Sequence, residues 1–433
     1  MKHPSTSYLK EKWSHSGFQK YFKNTSWMFG ARILSMGISF IATIYIARNL
    51  GPTNFGQLSY SVSLVGLFGF IASLGIDGIL YRDLIKHREK RQTLLGTAFY
   101  IKLCAGVLAA SASVLFSIFV VGDDVSKILI FILSGTFILN AFQIILFDFQ
   151  SRAESKYPSI VAVSIALILN ILKIITIATG RGVIYLAFIL LMESLLYAIF
   201  YIFIYETRTA DTITSWKFDK WYAVSLLKDS SPLIAFSAFS LIYARIDQVL
   251  IKHMMDASAV GLYDSAVRIS EAWSFIPGII VSALYPAIVN AKKTSDDIYN
   301  KRLGRLAMFL LILAVVIAVP VTLLAPYIMN TLYGSAFMGG VIVLRIYIWA
   351  GIGTSLGILI FQYLVTENSR KIILSVAFVP MACSVVLNIL WIPVYGIAGA
   401  AYATLISYSL TPLSLLLFKE TRSRMVSIYR SFL

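Results

Sequence analysis

The stretch FSLIYARIDQVLIKHMM, Phe239 to Met255, decides the fold. Its aliphatic and aromatic side chains suit a helix in hydrocarbon, yet Arg245 and Asp247 sit inside it. By insertion scales a charge at bilayer depth costs about 2.5–3.5 kcal/mol. Such charges are tolerated where they face other protein groups or a water-filled cavity. The stretch therefore predicts one helix of a membrane bundle with polar groups turned inward.

Composition agrees. The chain has 433 residues, of which 58% are hydrophobic and 13% charged. A soluble domain carries about 25% charged residues, so this chain reads as an all-α integral membrane protein. Its two cysteines, Cys104 and Cys383, lie in apolar runs and read as small buried hydrophobes. The four histidines are scattered without ligand spacing, so neither metal nor cofactor is expected. The first 26 residues are polar and basic and carry no signal-peptide pattern.

Spanning hydrocarbon takes about 20 apolar residues in a helix. That length predicts twelve spans, at 27–47, 58–79, 94–120, 128–148, 159–178, 183–205, 228–251, 262–289, 306–327, 341–365, 372–393 and 398–418. No segment alternates like a barrel strand. Of the 37 Lys and Arg residues, 27 fall at the N-terminus, in alternate loops and after 418, 4 in the opposite loops and 6 within spans. Basic loops stay cytoplasmic, so both termini are expected there. The net charge of +16 then reports topology, not nucleic-acid binding.

The predicted organisation is a cytoplasmic segment 1–26, an N-lobe 27–205, a cytoplasmic linker 206–227, a C-lobe 228–418 and a cytoplasmic tail 419–433. Trp216, Trp221 and Tyr222 suit a linker lying on the membrane surface. The halves resemble one another. NFGQLSYSVSL matches AVGLYDSAVRI, with Gly56 opposite Gly261, and GILYRDLIK matches SALYPAIVN, with Tyr81 opposite Tyr285. The register is about 205 residues. Six spans per half make this a parallel repeat about an axis along the membrane normal.

The charges within spans name the candidate site. Arg245, Arg268 and Arg345 lie at similar depth, and Arg32 sits in the inner part of the first span. Arginine suits phosphate because its planar fork stays protonated and donates two parallel hydrogen bonds. A cavity richer in arginine than in acid would hold an anionic, phosphate-bearing substrate. The alternative is that Arg245–Glu271 and Asp247–Arg268 are interhelical ion pairs that fix packing. Asn140 and Gln143 are candidates to bond sugar hydroxyls, or else helix glue. Asp247, Glu271 and Glu193 are candidate ion-coupling groups. Lys102 and Lys173 are long enough to snorkel, and Asp77 and Asp148 near inner ends are expected to meet water or cytoplasmic basic groups. No catalytic constellation or nucleotide-binding loop appears, so the chain is not read as an enzyme.

At this point IYIARNLGPTNFGQLSYSVSLVGLFGFIASLGIDGILYRDLI and YARIDQVLIKHMMDASAVGLYDSAVRISE resemble the polysaccharide transport family of Wzx-type O-antigen flippases. That family lies in the multidrug/oligosaccharidyl-lipid/polysaccharide (MOP) superfamily with lipid II flippases and MATE exporters. The resemblance implies two six-helix lobes in a V shape. It implies transfer of an undecaprenyl-diphosphate-linked oligosaccharide between leaflets of a bacterial cytoplasmic membrane. It implies that Arg32, Arg245 and Arg268 line the cavity, with a proton or sodium ion as coupling cation and other polysaccharide-assembly membrane proteins as partners. Rival readings are a MATE-like multidrug exporter, which would want an acidic cavity, an O-antigen polymerase or ligase, which would want a large outer loop, and a structural scaffold.

Overall fold

The computed structural model describes residues 16–292, 295–367, 369–415 and 422. Most of the two expected terminal segments therefore lies outside the described residues. Every regular element among the described residues is a helix, because a helix satisfies its own peptide groups where no water can. The chain divides into two compact units. The first holds residues up to Thr43 and Phe68–Ile234, and the second holds Ile44–Leu67 and everything from Ala235 onward. These differ from the predicted lobes, since 44–67 groups with the second unit and 206–234 with the first.

Helix α1 runs Ser16–Leu67, followed by α2 (Gly69–Ser73), α3 (Asp77–Lys86), α4 (Arg91–Val120), α5 (Asp124–Leu139), α6 (Ile144–Ser151), α7 (Lys156–Ala178) and α8 (Val183–Arg208). After them come α9 (Lys220–Met254), α10 (Ala257–Glu271), α11 (Phe275–Lys292), α12 (Asp296–Tyr333), α13 (Val341–Tyr347), α14 (Ala350–Thr366) and α15 (Arg370–Ser414).

Among the described residues nine helical segments are long and apolar enough to cross a membrane, or ten if Ser335–Tyr347 and Ala350–Thr366, bent by 48°, form one crossing. Two of the nine are too long for a single crossing. Ser26–Leu67 has 42 residues and Ile372–Ser414 has 43, about 60–65 Å each at 1.5 Å per residue. The hydrocarbon core is only about 30 Å thick. Each contains a glycine at positive φ, Gly51 (70°) and Gly396 (58°), a conformation that side chains disfavour. The number reaches the predicted twelve only if both are divided at these glycines and the bent pair is one crossing.

Several predicted spans are interrupted. The second, 58–79, is broken after Leu67 and again at Leu74–Gly75, both with positive φ. The fourth is interrupted by a 3-10 turn at Asn140–Gln143. The eighth breaks between Glu271 and Phe275, so that Pro277 falls in the first turn of α11, where its missing N–H costs nothing.

In the first unit, a buried acid binds the inner helix ends together. Asp148 accepts from Arg91 Nη1 (2.6 Å) and Arg152 Nε (2.9 Å). Arg152 also reaches Asp211 (3.5 Å), which accepts from Gln92 Nε2 (2.8 Å). The segment predicted as a surface linker is strapped down by these bonds and by others. Lys217 N donates to Gln92 O (3.3 Å), Asp219 N to Thr97 Oγ1 (2.9 Å) and Trp216 Nε1 to the Tyr205 hydroxyl (3.2 Å). Trp216 packs on Phe99, whereas Trp221 is exposed. Lys102 does not snorkel. It is buried and paired with Asp77 at 2.5 Å.

In the second unit, the repeat appears as a reciprocal crossing. At Gly56 an added Cβ would strike the Ala257 carbonyl oxygen, and at Gly261 it would strike that of Pro52. Ala257 is the repeat counterpart of Pro52, so each half presents its glycine to the other half's first helical carbonyl. Asp256 starts α10 by accepting from Ala259 N at 2.8 Å.

This crossing sets a contrast between glycines. Gly56→Ala and Gly261→Ala each force backbones apart and should destabilise the protein by about 1–3 kcal/mol, the range for overpacking. Gly37→Ala meets open space and should be neutral or mildly stabilising, since alanine favours helix by about 1 kcal/mol. Thermal melting of the three purified variants checks this. Equal melting points for Gly56→Ala and Gly37→Ala would refute the crossing.

Candidate functional site

The predicted site residues fall into two groups. Arg32, Asn140, Gln143 and Glu193 belong to the first unit. Arg32 is exposed on α1. Gln143 Nε2 donates to Asn140 Oδ1 at 3.0 Å, so the two amides partly satisfy each other in the turn between α5 and α6. Glu193 on α8 accepts from Lys173 Nζ at 2.9 Å, which makes both members of that pair structural before any ion arrives.

The second unit brings Arg245, Asp247, Arg268 and Glu271 into one polar cluster, while Arg345 is exposed on α13. The centre of the cluster is a residue the sequence reading did not single out, Asp264. Its carboxylate is 1% exposed and accepts from Arg268 Nε (2.7 Å), Ser59 Oγ (2.7 Å) and Gln248 Nε2 (3.0 Å). Gln248 in turn accepts from Ser63 Oγ. Ser59 and Ser63 come from α1, and their repeat counterparts at 205 positions are Asp264 and Arg268. The two repeats thus share one hydrogen-bonded patch, with neutral serines in one half and an ion pair in the other.

The expected Asp247–Arg268 pair is not formed. Arg268 is taken by Asp264, four residues before it on the same helix face. Asp247 accepts instead from the Tyr263 hydroxyl (2.5 Å) and from Gln248 N (2.8 Å), and Tyr263 lies 3.3 Å from Thr404 Oγ1. Glu271 Oε1 accepts from the Tyr347 hydroxyl at 3.1 Å. Arg245 stands electrostatically between Asp247, Glu271 and Asp264, two residues from Asp247 and on another face of α9.

The charge balance also differs from expectation. Arg245 and Arg268 face three acids, Asp247, Asp264 and Glu271, so this cluster is not richer in arginine than in acid. Arg345 adds no close partner to it. Even so, Arg268 is presented in a particular way. Its bond to Asp264 uses Nε, the nitrogen nearest the stem, and 37% of its side chain remains exposed. Its guanidinium also lies 5.5 Å from the Phe55 ring centre, within cation–π range. Beside Glu271 is a cavity of about 60 Å³ lined by Ser270, Ser274, Tyr347, Thr354 and Tyr408. That is room for a few waters or a small cation.

Asp264 was legible in principle as the i,i+4 partner of Arg268. Gln248, Tyr263 and Tyr347 were not, because their roles depend on how helices distant in sequence pack.

Comparison with known proteins places this site in context. The family described as polysaccharide biosynthesis protein matches residues 21–292. A probable flippase of Haloferax volcanii, AglR, is 25% identical over 90% of this chain and 82% of its own length. A probable low-salt glycan biosynthesis flippase of the same organism, Agl15, is 23% identical over 88% and 80%. Among solved structures, the lipid II flippase MurJ in an inward closed conformation superposes with a TM-score of 0.72 at 16% identity, over 95% of this chain and 91% of its own. An inward-facing multidrug MATE transporter of the MOP superfamily gives 0.69 at 14% identity, over 92% and 96%. The fold is that of these two proteins. This multi-pass membrane protein belongs to the polysaccharide biosynthesis protein family.

Proposed function

We propose that the protein is a flippase that moves a lipid-linked glycan across a membrane by alternating access. The observation that carries this reading is Arg268, a guanidinium inside a span, fixed through Nε by a buried acid and still partly exposed. Its terminal nitrogens then suit the diphosphate of a polyprenyl-linked glycan. Arg245 and Arg32 are proposed to assist, and Asn140, Gln143 and Arg345 to contact the headgroup at its margins. The similarity to two archaeal flippases supports the wider class, a lipid-linked glycan. The narrower proposal is an undecaprenyl-diphosphate-linked surface-polysaccharide unit, carried across a cytoplasmic membrane with both termini inside.

The surplus acid has a place in this reading. Arg268 neutralises Asp264, and Arg245 answers only one of Asp247 and Glu271. The remaining carboxylate is left to take a proton or a cation, which couples transport to an ion gradient. Glu193, already paired with Lys173, is the weaker candidate.

Three outcomes test the proposal. In proteoliposomes containing a fluorescent polyprenyl-diphosphate oligosaccharide, Arg268→Ala should lower flipping at least about ten-fold and Arg268→Lys only partly restore it. Removing one member of a buried pair also costs about 3–5 kcal/mol. The double variant Asp264→Asn, Arg268→Gln therefore serves as a control that leaves no stranded charge. If the double variant folds and flips at the wild-type rate, Arg268 does not bind phosphate.

With an imposed proton or sodium gradient, Asp247→Asn or Glu271→Gln should keep downhill flipping and lose the gradient response. A normal response in both variants removes coupling from this cluster.

Reporter fusions at Asp83, Ser215 and Asp296 should read cytoplasmic, and those at Asp124 and Met338 external. An external signal at Ser215 defeats the orientation.

A further inference from the structure

Each unit contains a cavity beside the first span of its half. In the first unit it measures about 410 Å³ and is walled by Trp27, Gly30, Ala31 and Leu34 of α1 with Ile160 and Val163 of α7. In the second it measures about 470 Å³ and lies among α9, α14 and α15. Ala31 and Phe236, one from each lining, are 205 positions apart, the register of the repeat. The cavities thus flank counterpart helices, while their other walls come from different elements.

The first is mostly apolar, its only polar groups being three serines and the indole of Trp27. The second has gained larger polar side chains. Tyr243 stands where the first half has Ile38. Thr354 and Gln362 come from α14, and Tyr408 and Thr411 from the far part of α15. The Tyr243 hydroxyl is buried beside Thr411 and makes no hydrogen bond of good geometry. Between these polar groups are aromatic walls. Tyr243 and Tyr408 have ring centres 4.3 Å apart, and Phe236 stacks on Phe361 at 5.1 Å.

Three ligand chemistries compete for such a cavity. A phosphate wants cations, and among the described lining residues none is charged. An isoprenoid or acyl chain would cover the exposed Gln362 amide with hydrocarbon, and a polar group buried unbonded is costly. A pyranose ring meets both demands. Its hydroxyls lie around the edge, where they bond Tyr, Thr and Gln groups, and its C–H faces lie against aromatic rings. The volume also falls in the usual ligand-pocket range of about 300–1,000 Å³.

We propose that this cavity of the second unit is a sugar-binding subsite that takes an uncharged pyranose unit of the transported glycan. The inference rests on the flippase reading for why a sugar reaches the site. Thr354 and Tyr408 also line the small cavity beside Glu271. Occupation by sugar is therefore felt at a wall of the candidate coupling group.

The test uses full-length protein in lipid nanodiscs and two fluorescent probes, polyprenyl diphosphate bearing a neutral trihexose and the same lipid without sugar. The wild type should bind the sugar-bearing lipid at least about ten-fold more tightly, since a site built to bond hydroxyls discriminates against ligands that lack them. Two variants should abolish that preference and leave the sugar-free lipid bound as before. Gln362→Leu removes an amide on an exposed position. Gly357→Leu fills the cavity, and its Cβ meets Thr411 Cγ2 at an ordinary 3.4 Å.

Equal loss of both lipids would make the cavity a tail or phosphate site and overturn the proposal. No preference in the wild type, or a preference untouched in a folded variant, overturns it as well. Flipping is measured on the same wild-type preparation. Flipping without sugar preference sinks the subsite and spares the flippase reading, and preference without flipping does the reverse.

Discussion

A carboxylate buried in the membrane must be answered from every side, and Asp264 is answered by three helices. Arg268 comes from its own helix, Gln248 from α9 and Ser59 from α1. An unpaired charge there would cost several kcal/mol, so these contacts are not optional once the acid is present. They require α1 beyond Ile44 to lie against α10. The crossing at Gly56 and Gly261 permits that approach, because only residues without Cβ let the two backbones come so close. The assignment of 44–67 to the second unit follows from this one charge and these two glycines.

The same rule governs the other charges within spans, with different results in the two units. In the first unit Lys102 is paired with Asp77, Lys173 with Glu193, and Asp148 lies between Arg91 and Arg152. These groups clamp helices, and the Asp148 clamp extends through Arg152 and Asp211 to the strap after α8. In the second unit two arginines face three acids. A cluster with an odd carboxylate changes its net charge when it takes a proton or cation, whereas a balanced clamp resists such change. On this ground the coupling role is proposed for the second unit ahead of Glu193.

The helical class, the repeat register and the residues Arg245, Asp247, Arg268 and Glu271 were legible because hydropathy and charge are local properties of the sequence. The repeat register reappears in space, since Ser59 and Asp264 occupy matched positions in NFGQLSYSVSL and AVGLYDSAVRI and bond each other. Pairing was not legible. Asp247 and Arg268 looked complementary, but the i,i+4 acid Asp264 competes at shorter range and wins. The bonds of the strap at 206–227 were not legible either, since the contacts of Trp216 with Phe99 and Tyr205 join residues distant in sequence or separated by a turn. Span boundaries failed where a helix is broken without leaving an apolar environment, as at Leu74–Gly75 and Asn140–Gln143.

A duplicated architecture begins with two equal halves, and transport of an asymmetric molecule requires them to diverge. The divergence here is chemical more than geometric. Ser59 and Ser63 correspond, in the other half, to Asp264 and Arg268, while the glycine crossing beside them is symmetric. Ile38 and Tyr243, matched in the repeat, differ in the same sense. In both comparisons the second half of the sequence carries the more polar side chains. A polar group at membrane depth is retained only when something satisfies it, and the ion pair satisfies the first set within the protein. In the second set Thr354 donates to Ala350 O, while the buried Tyr243 hydroxyl has no hydrogen bond of good geometry. The Gln362 amide nearby is exposed, and the proposed sugar subsite would give it a hydroxyl partner and the glycan of the proposed function a definite place in the chain.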